Sequence, residues 1–406
     1  RGMTTSMTVI PGGVTAPAGF RAAGLHCGIK ASGRKDLALL VSDTPATAAA
    51  VFTTNMAQAA PVLVSQEHLA ASGGRARAVV TNSGCANACT GPQCLADARE
   101  MTVLTAQGLG CDPRDVLVAS TGVIGVNLKM PAVRAGIPAA IDALSSDGGA
   151  AAADAIMTTD PFPKSAAVEI ALPGGRVRVG GMTKGSGMIE PRMATMLGYL
   201  TTDAAIDAGR LRRVLVAACR YTFNAITVDG EPSTNDCVFA LANGASGVTI
   251  DDASEQALFE AFRAVARELA LGIVRGGEGA TKLVAITASG AASDADAWTA
   301  ARAIANSLLV KTAIHGADPN WGRLIAAAGR SGAHFVLAGA RVRIGDLIMF
   351  EGGRPFDERA PQAAAYLGGT DLDIEVDLGA GGAHRATVWT CDLSKMYVQI
   401  NAEYRT

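Results

Sequence analysis

Small side chains limit what this chain can fold into more than any other feature. Glycine alone fills 47 of 406 positions, while aromatic residues make up only 4%. Apolar residues reach 49% and charged residues 18%, against roughly 25% charged in ordinary soluble domains. An apolar surplus of alanine and glycine suits close-packed layers of helix and sheet better than disorder or a membrane protein. No uninterrupted apolar run approaches the ~18 residues of a spanning helix. The length exceeds one ordinary core, so two domains are expected.

Within that frame, 36–52 reads as two strands around a Thr/Pro turn, and 78–82 as a short buried strand entering the loop 83–92. Helical spacing runs from Leu95 to Gly108, a strand from Val116 to Ser120 enters Thr121-Gly122, and 131–157 reads as helical. Val168–Leu172 and Val177–Val179 form a hairpin around Pro173-Gly174-Gly175. A long helix is expected over 253–271, with Asp251-Asp252 as dipole-compatible charge near its start. Leu283–Ala288 is a strand and 295–309 a helix, with several strands up to Thr390; a domain boundary is placed near 285.

The net charge of −2, with scattered basic residues, marks no nucleic-acid surface. The start lacks the apolar core of a secretory signal, so a cytoplasmic or organelle-matrix enzyme without a membrane partner is expected. Free thiols are the default for the eight cysteines. Cys85-x3-Cys89-x4-Cys94 lacks the C-x2-C pairs and following His residues of zinc sites, so no metal is assigned.

The segment from Gly180 to Leu197 carries the chemistry. Its glycines with Lys184 and Ser186 suggest a phosphate loop, but no Gly directly precedes Lys184 and no Ser or Thr follows it. Thr195 offers another reading. If its hydroxyl attacks the preceding carbonyl, an N→O shift and hydrolysis cut Ala194–Thr195 and free an α-amino group. That amine, with a pKa of about 8, can accept a proton at neutral pH. Nucleophile and base then share one residue, and none of the five histidines is needed.

Ordered motifs along nearly the whole chain resemble the ornithine acetyltransferase (glutamate N-acetyltransferase) family of arginine biosynthesis. They include 14–20, Gly28-Ile29-Lys30, Asn82 to Gly91, Ser120 to Gly125, Met157 to Asp160 and Lys184 to Leu197. Leu200 to Ala204, Ser233 to Asp236, Asp318 to Arg323 and Asp392-Leu393-Ser394 complete the set. Arg192, Cys94 and His26-Cys27 depart from the pattern without touching a matched catalytic position.

The resemblance implies an α/β fold: a layered α-β-β-α sandwich with an autoprocessed N-terminal Thr nucleophile, plus a smaller C-terminal α/β domain. Residues 1–285 would be the catalytic domain spanning the cut at 194/195. Residues 286–406 would be the smaller domain, whose tail contributes to the substrate site. It further implies acetyl transfer from N2-acetylornithine to glutamate through acetyl-Thr195, with Thr121 and Gly122 as the oxyanion hole. Thr158, Lys184, Thr195, Glu278, Asn401 and Thr406 would contact substrate. No cofactor is implied, and acetyl-CoA is left open as a second donor. The two processed chains would assemble as an α2β2 heterotetramer. Asn320-Trp321-Gly322-Arg323 is read as a packed structural turn. The rival readings are an autoprocessed aminopeptidase or amidase of related fold, and a nucleotide- or metal-binding regulatory module.

Overall fold

The computed structural model describes residues 6–190 and 196–405. The chain divides into two compact units, Arg1–Asn224 with Glu231–Ile273, and Ala225–Gly230 with Val274–Arg405. The division falls at the end of a long helix. The boundary expected near 285 lies instead within a strand of the second unit.

Nine strands form the sheet of the first unit. They are β1 (Met7–Val9), β2 (Phe20–Leu25), β3 (Leu37–Phe52), β4 (Arg75–Cys85), β5 (Val116–Val123), β6 (Lys164–Leu172), β7 (Gly175–Lys184), β8 (Leu197–Thr202) and β9 (Cys237–Ala242). Its helices are α1 (Ala60–Ala71), α2 (Pro92–Leu109), α3 (Met130–Asp142), α4 (Gly149–Ala155), α5 (Ala208–Arg220) and α6 (Glu255–Arg275), the last crossing the division. The strand order is β1-β6-β7-β8-β9-β3-β4-β5, with β2 also on β3. β4–β5 and β8–β9 are parallel pairs.

Side-chain alternation explains the layering. Leu37, Leu39 and Val41 of β3 join Met101 of α2 and Val133 and Ile137 of α3 in one cluster. Ala38 and Leu40 point the other way, into a core shared with Leu117 of β5, Met182 of β7, Tyr199 of β8 and Phe239 of β9. The two halves of the sheet therefore face each other across one core, with helices α1–α3 outside β3–β5. Leu269 of α6 lies over Gly181 of β7 on the opposite outer face. This is the expected α-β-β-α layering. Tyr199 is fully buried in the shared core, and its hydroxyl is satisfied by Thr81 Oγ1 at 2.6 Å.

Several elements differ from the sequence reading. Residues 37–52 form one strand, because the register against β4 shifts between Val41 and Ala46 while pairing resumes beyond it. The exposed Asp43-Thr44-Pro45 stretch bends the strand without ending it. The span 131–157 breaks into α3 and α4, since Ser145 makes a backbone bridge to Ala22 between them.

The second unit carries a sheet of β10 (Leu283–Ala291), β11 (Arg341–Ile344), β12 (Leu347–Glu351), β13 (Arg354–Pro355), β14 (Asp371–Asp377) and β15 (His384–Cys391). Its helices are α7 (Asp294–Ala305), α8 (Leu308–His315), α9 (Trp321–Gly329), α10 (Ala360–Leu367) and α11 (Lys395–Glu403). The order is β13-β12-β11-β14-β10-β15. Val284, Ile286 and Ala288 of β10 share a core with Ala297, Ala300, Ala301 and Ile304 of α7. The helix expected over 295–309 is split, because the Ser307 side chain accepts from Val310 N and starts α8.

Asn320 caps α9 by accepting from Arg323 N at 3.1 Å, and Trp321 stacks on Phe350 with centroids 4.8 Å apart. That agrees with a packed structural turn. The C-terminal helix α11 has no buried residue and is tied by polar side chains. Among the described residues, no helix is long and apolar enough to cross a membrane.

Candidate functional site

Thr121 and Gly122 lie at the end of β5, where parallel pairing with β4 sets Ser83 beside Thr121 and Gly84 beside Gly122. The register shifts there, opening the strand ends. A buried amide network fixes them: Asn235 Nδ2 donates to Ala86 O at 2.7 Å and to Ser120 O at 2.9 Å, and Ser120 Oγ donates to Asn82 Oδ1. Gly122 has φ +133°, and a Cβ there would sit 2.4 Å from the carbonyl carbon of Gly84 and 2.5 Å from Cys85 N. Backbone cannot yield as a side chain would, so only glycine fits.

Lys184 ends β7 opposite Leu197, the first residue of β8. Its ammonium is buried and donates to Thr121 Oγ1 at 2.9 Å. Because that oxygen accepts from a cation, the Thr121 proton is left to be donated elsewhere. Two positions expected from sequence to serve different ends of a substrate are thus joined by one bond. Ala194 and Thr195, expected from sequence to be the cleavage pair and nucleophile, lie outside the described residues. Just beyond them, Met196 O accepts from Cys237 N at 2.9 Å, anchoring the start of β8 to β9.

Thr158 stands in the loop after α4, and its N–H donates to Asp160 Oδ2 at 3.2 Å. Asp160 ends the motif Met157 to Asp160, which assigns it no role. Its buried Oδ1 also accepts from Gly185 N at 2.8 Å and Lys164 Nζ at 2.6 Å. Burial pushes this carboxyl up, but Lys164, Lys184 and the hydrogen bonds outweigh it and hold the group below the usual carboxylate range.

Lys30 is a second unassigned cation of this unit. Its Nζ donates to Met157 O at 2.6 Å, and burial first, then the charge of Arg34, lowers its pKa to about 8. Asp236 is a further unassigned titratable group: burial raises its carboxyl well above the usual range despite the nearby Lys184 charge. No sequence period marks these residues, since isolated charged positions look solvated until the fold encloses them.

The turn carrying Lys30 is built on the buried Asp36, whose carboxylate accepts from Cys27 N at 2.7 Å and from Ile29 N and Lys30 N at 2.8 Å each. Burial opposes the charge, but these bonds hold its pKa below the ordinary value. A depressed folded-state pKa adds stability above the unfolded value of about 3.9, and that stability is lost as pH falls through the folded value. Asp36→Asn is therefore expected to lower stability at pH 7 by about 1.5–3 kcal/mol, the range for charged hydrogen bonds. The gap to the parent should narrow as pH drops below about 4. Melting curves at both pH values check this; a gap unchanged in acid would contradict it.

In the second unit, Glu278 is buried and accepts from Asn401 Nδ2 at 2.6 Å. The turn behind it is held tightly against α11. Gly279 has φ +70°, and a Cβ there would meet Tyr397 N at 2.5 Å, while Ser394 Oγ donates to Gly279 O at 2.6 Å. Tyr397 Oη donates to Asp229 Oδ2 at 2.9 Å, a second tie on the terminal helix. Thr406 lies outside the described residues.

His315 pairs with buried Asp392 at 2.7 Å, and Thr281 Oγ1 donates to the same carboxylate oxygen at 2.6 Å. The hydroxyl is spent on the carboxylate, not on the imidazole, so this is no nucleophile–base relay. Cys85 and Cys94 are buried, with Cys94 Sγ donating to Gly91 O at 3.0 Å, whereas Cys89 is exposed. Among the described residues, no group of three or more His, Cys, Asp or Glu could hold a metal ion.

Comparison with known proteins matches this chain to the ArgJ family model over residues 21–406. The arginine biosynthesis bifunctional protein ArgJ of Symbiobacterium thermophilum is 52% identical over 407 residues, 98% of this chain and 100% of that protein. The protein of the same name from Synechococcus sp. is 50% identical over 416 residues, covering 100% of both chains. Among solved structures, the ornithine acetyltransferase of Mycobacterium tuberculosis complexed with ornithine is 44% identical, with TM-score 0.43, covering 47% of this chain and 100% of that one. With a family match across residues 21–406 and relatives of half-identical sequence over full length, the chain belongs to the ArgJ family.

Proposed function

We propose that this chain is a self-cleaving acetyltransferase of arginine biosynthesis that moves acetyl from N2-acetylornithine to glutamate. Thr195 Oγ attacks the Ala194 carbonyl, the N→O shift forms an ester, and water hydrolyses it to leave Thr195 with a free amine. That amine takes the hydroxyl proton as Oγ attacks the acetyl carbonyl of N-acetylornithine. Thr121 Oγ–H and Gly122 N–H stabilise the tetrahedral oxyanion. Collapse returns the proton to the leaving amine of ornithine, and acetyl stays on Thr195. The amine of glutamate attacks this ester by the same path, releasing N-acetylglutamate and restoring the hydroxyl.

The observation that carries this reading is the Lys184–Thr121 hydrogen bond of 2.9 Å. It sets a fixed cation, suited to a substrate carboxylate, beside the hydroxyl that would face the developing oxyanion. Thr158, Glu278, Asn401 and Thr406 are proposed as further substrate contacts. The two fragments are proposed to remain associated, paired as α2β2 in the cytoplasm, with no cofactor.

Incubation with N-acetylornithine and glutamate tests the reaction. The expected products are ornithine and N-acetylglutamate in equal amounts. Acetate without N-acetylglutamate would overturn transfer in favour of an amidase of related fold. Replacing N-acetylornithine with acetyl-CoA in the same assay shows whether a second donor is used.

A further inference from the structure

We propose that Asp160 is a positioning residue of the acetyl-transfer site, holding the Thr158 loop and the Lys184 turn in one fixed geometry; this rests on the acetyl-transfer reading above. Its carboxylate touches both segments through their backbone. Oδ2 accepts from Thr158 N at 3.2 Å, and Oδ1 accepts from Gly185 N at 2.8 Å, directly after Lys184. The loop lies between α4 and β6 and the turn at the end of β7, so this one side chain bridges two separate pieces of backbone. The Lys184 turn also borders the strand that follows the cut. A Cβ at Gly185 would lie 3.3 Å from Met196 Cβ.

The third partner is Lys164, whose ammonium lies 2.6 Å from Oδ1. Both side chains of this pair are almost fully buried, and Lys164 stands opposite Thr183 in the β6–β7 register. A buried carboxylate with one cation and two backbone donors is fully satisfied, which makes its geometry rigid. Loops that bind a small substrate need this restraint, because misplacement by an ångström weakens every contact they make.

A purely structural reading gives Asp160 only the task of neutralising Lys164. Substitution separates the two. In Asp160→Asn the amide offers a single acceptor, so one of the two loop N–H groups is left facing an NH2 donor. It also strands the buried Lys164 charge. Lys164→Met removes the charge and leaves both loop bonds available to Asp160. The double variant D160N/K164M removes the stranded charge but not the loop defect.

Full-length protein carrying each change is to be measured for extent of self-cleavage, melting temperature, and KM and kcat with N-acetylornithine and glutamate. D160N should raise KM for N-acetylornithine about tenfold or more, the size of one lost charged hydrogen bond, and lower the melting temperature. K164M should change KM less than about threefold. The double variant should regain melting temperature over D160N while KM stays raised. A double variant with wild-type KM, or a K164M as defective as D160N, would overturn the proposal and leave Asp160 a mere counter-ion. Should D160N fold too poorly to assay, the double variant alone decides. Failure of the unaltered protein to make N-acetylglutamate would instead sink the transfer reading, and is seen before any variant is compared.

Discussion

Thr195→Ala is expected to stay in one piece and to transfer no acetyl. The variant lacks the oxygen that both steps require: attack on the Ala194 carbonyl, and later attack on the acetyl group. Without the cut, residue 195 also keeps its amide, which is no base. Two losses thus come from one atom. Mass spectrometry should show a single species near the 41.2 kDa of the whole chain, where the parent should give two fragments. Transfer should fall by on the order of 10⁶-fold, as when a nucleophile is removed from a covalent-catalysis site. Thr195→Ser keeps the hydroxyl and should still cut itself. An alanine variant that is cleaved, or one that transfers acetyl, would refute the assignment.

Thr121→Val carries the second large effect. Valine keeps the shape and removes the hydroxyl that Lys184 Nζ approaches to 2.9 Å. Two consequences are expected. The oxyanion loses one of its two donors, which costs roughly 10²–10³ in kcat. Lys184 loses its hydroxyl partner and is less well fixed, so KM for N-acetylornithine should rise as well, though by less than the fall in kcat. Thr121→Ser restores the hydroxyl and should recover most of the rate, whereas a packing defect would be worse in serine than in valine. Valine-variant kcat within about threefold of the parent would remove Thr121 from the oxyanion hole.

Much of the fold was legible because its signals are local. The β6–β7 hairpin follows from alternating residues around Pro173-Gly174-Gly175, and α6 from its apolar period. Boundaries failed where a distant partner decided them. Ser145 pairs with Ala22, more than a hundred residues earlier, and that bridge ends α3. Pro45 reads as a turn, yet pairing of Ala46 with Ala76 carries β3 onward. The terminal helix carries no local signal of its place, since Tyr397 and Asn401 hold it by single polar bonds to Asp229 and Glu278, which no hydrophobic pattern announces.

The site divides in the same way. Thr195 is marked by chemistry contained in one residue, a hydroxyl and the amine its own attack creates, so its role can be argued from sequence and resemblance. Thr121-Gly122 and Lys184 are likewise carried by motifs. The contact between Thr121 and Lys184 belongs to the tertiary structure. Thr121 and Lys184 are 63 residues apart, and Asp160 and Gly185 are 25 apart. Sequence spacing sets which side chains share a face of a helix or strand. Only strand register and burial decide which buried charges meet, because a hydrogen bond needs its partners within about 3 Å and no local pattern encodes that distance.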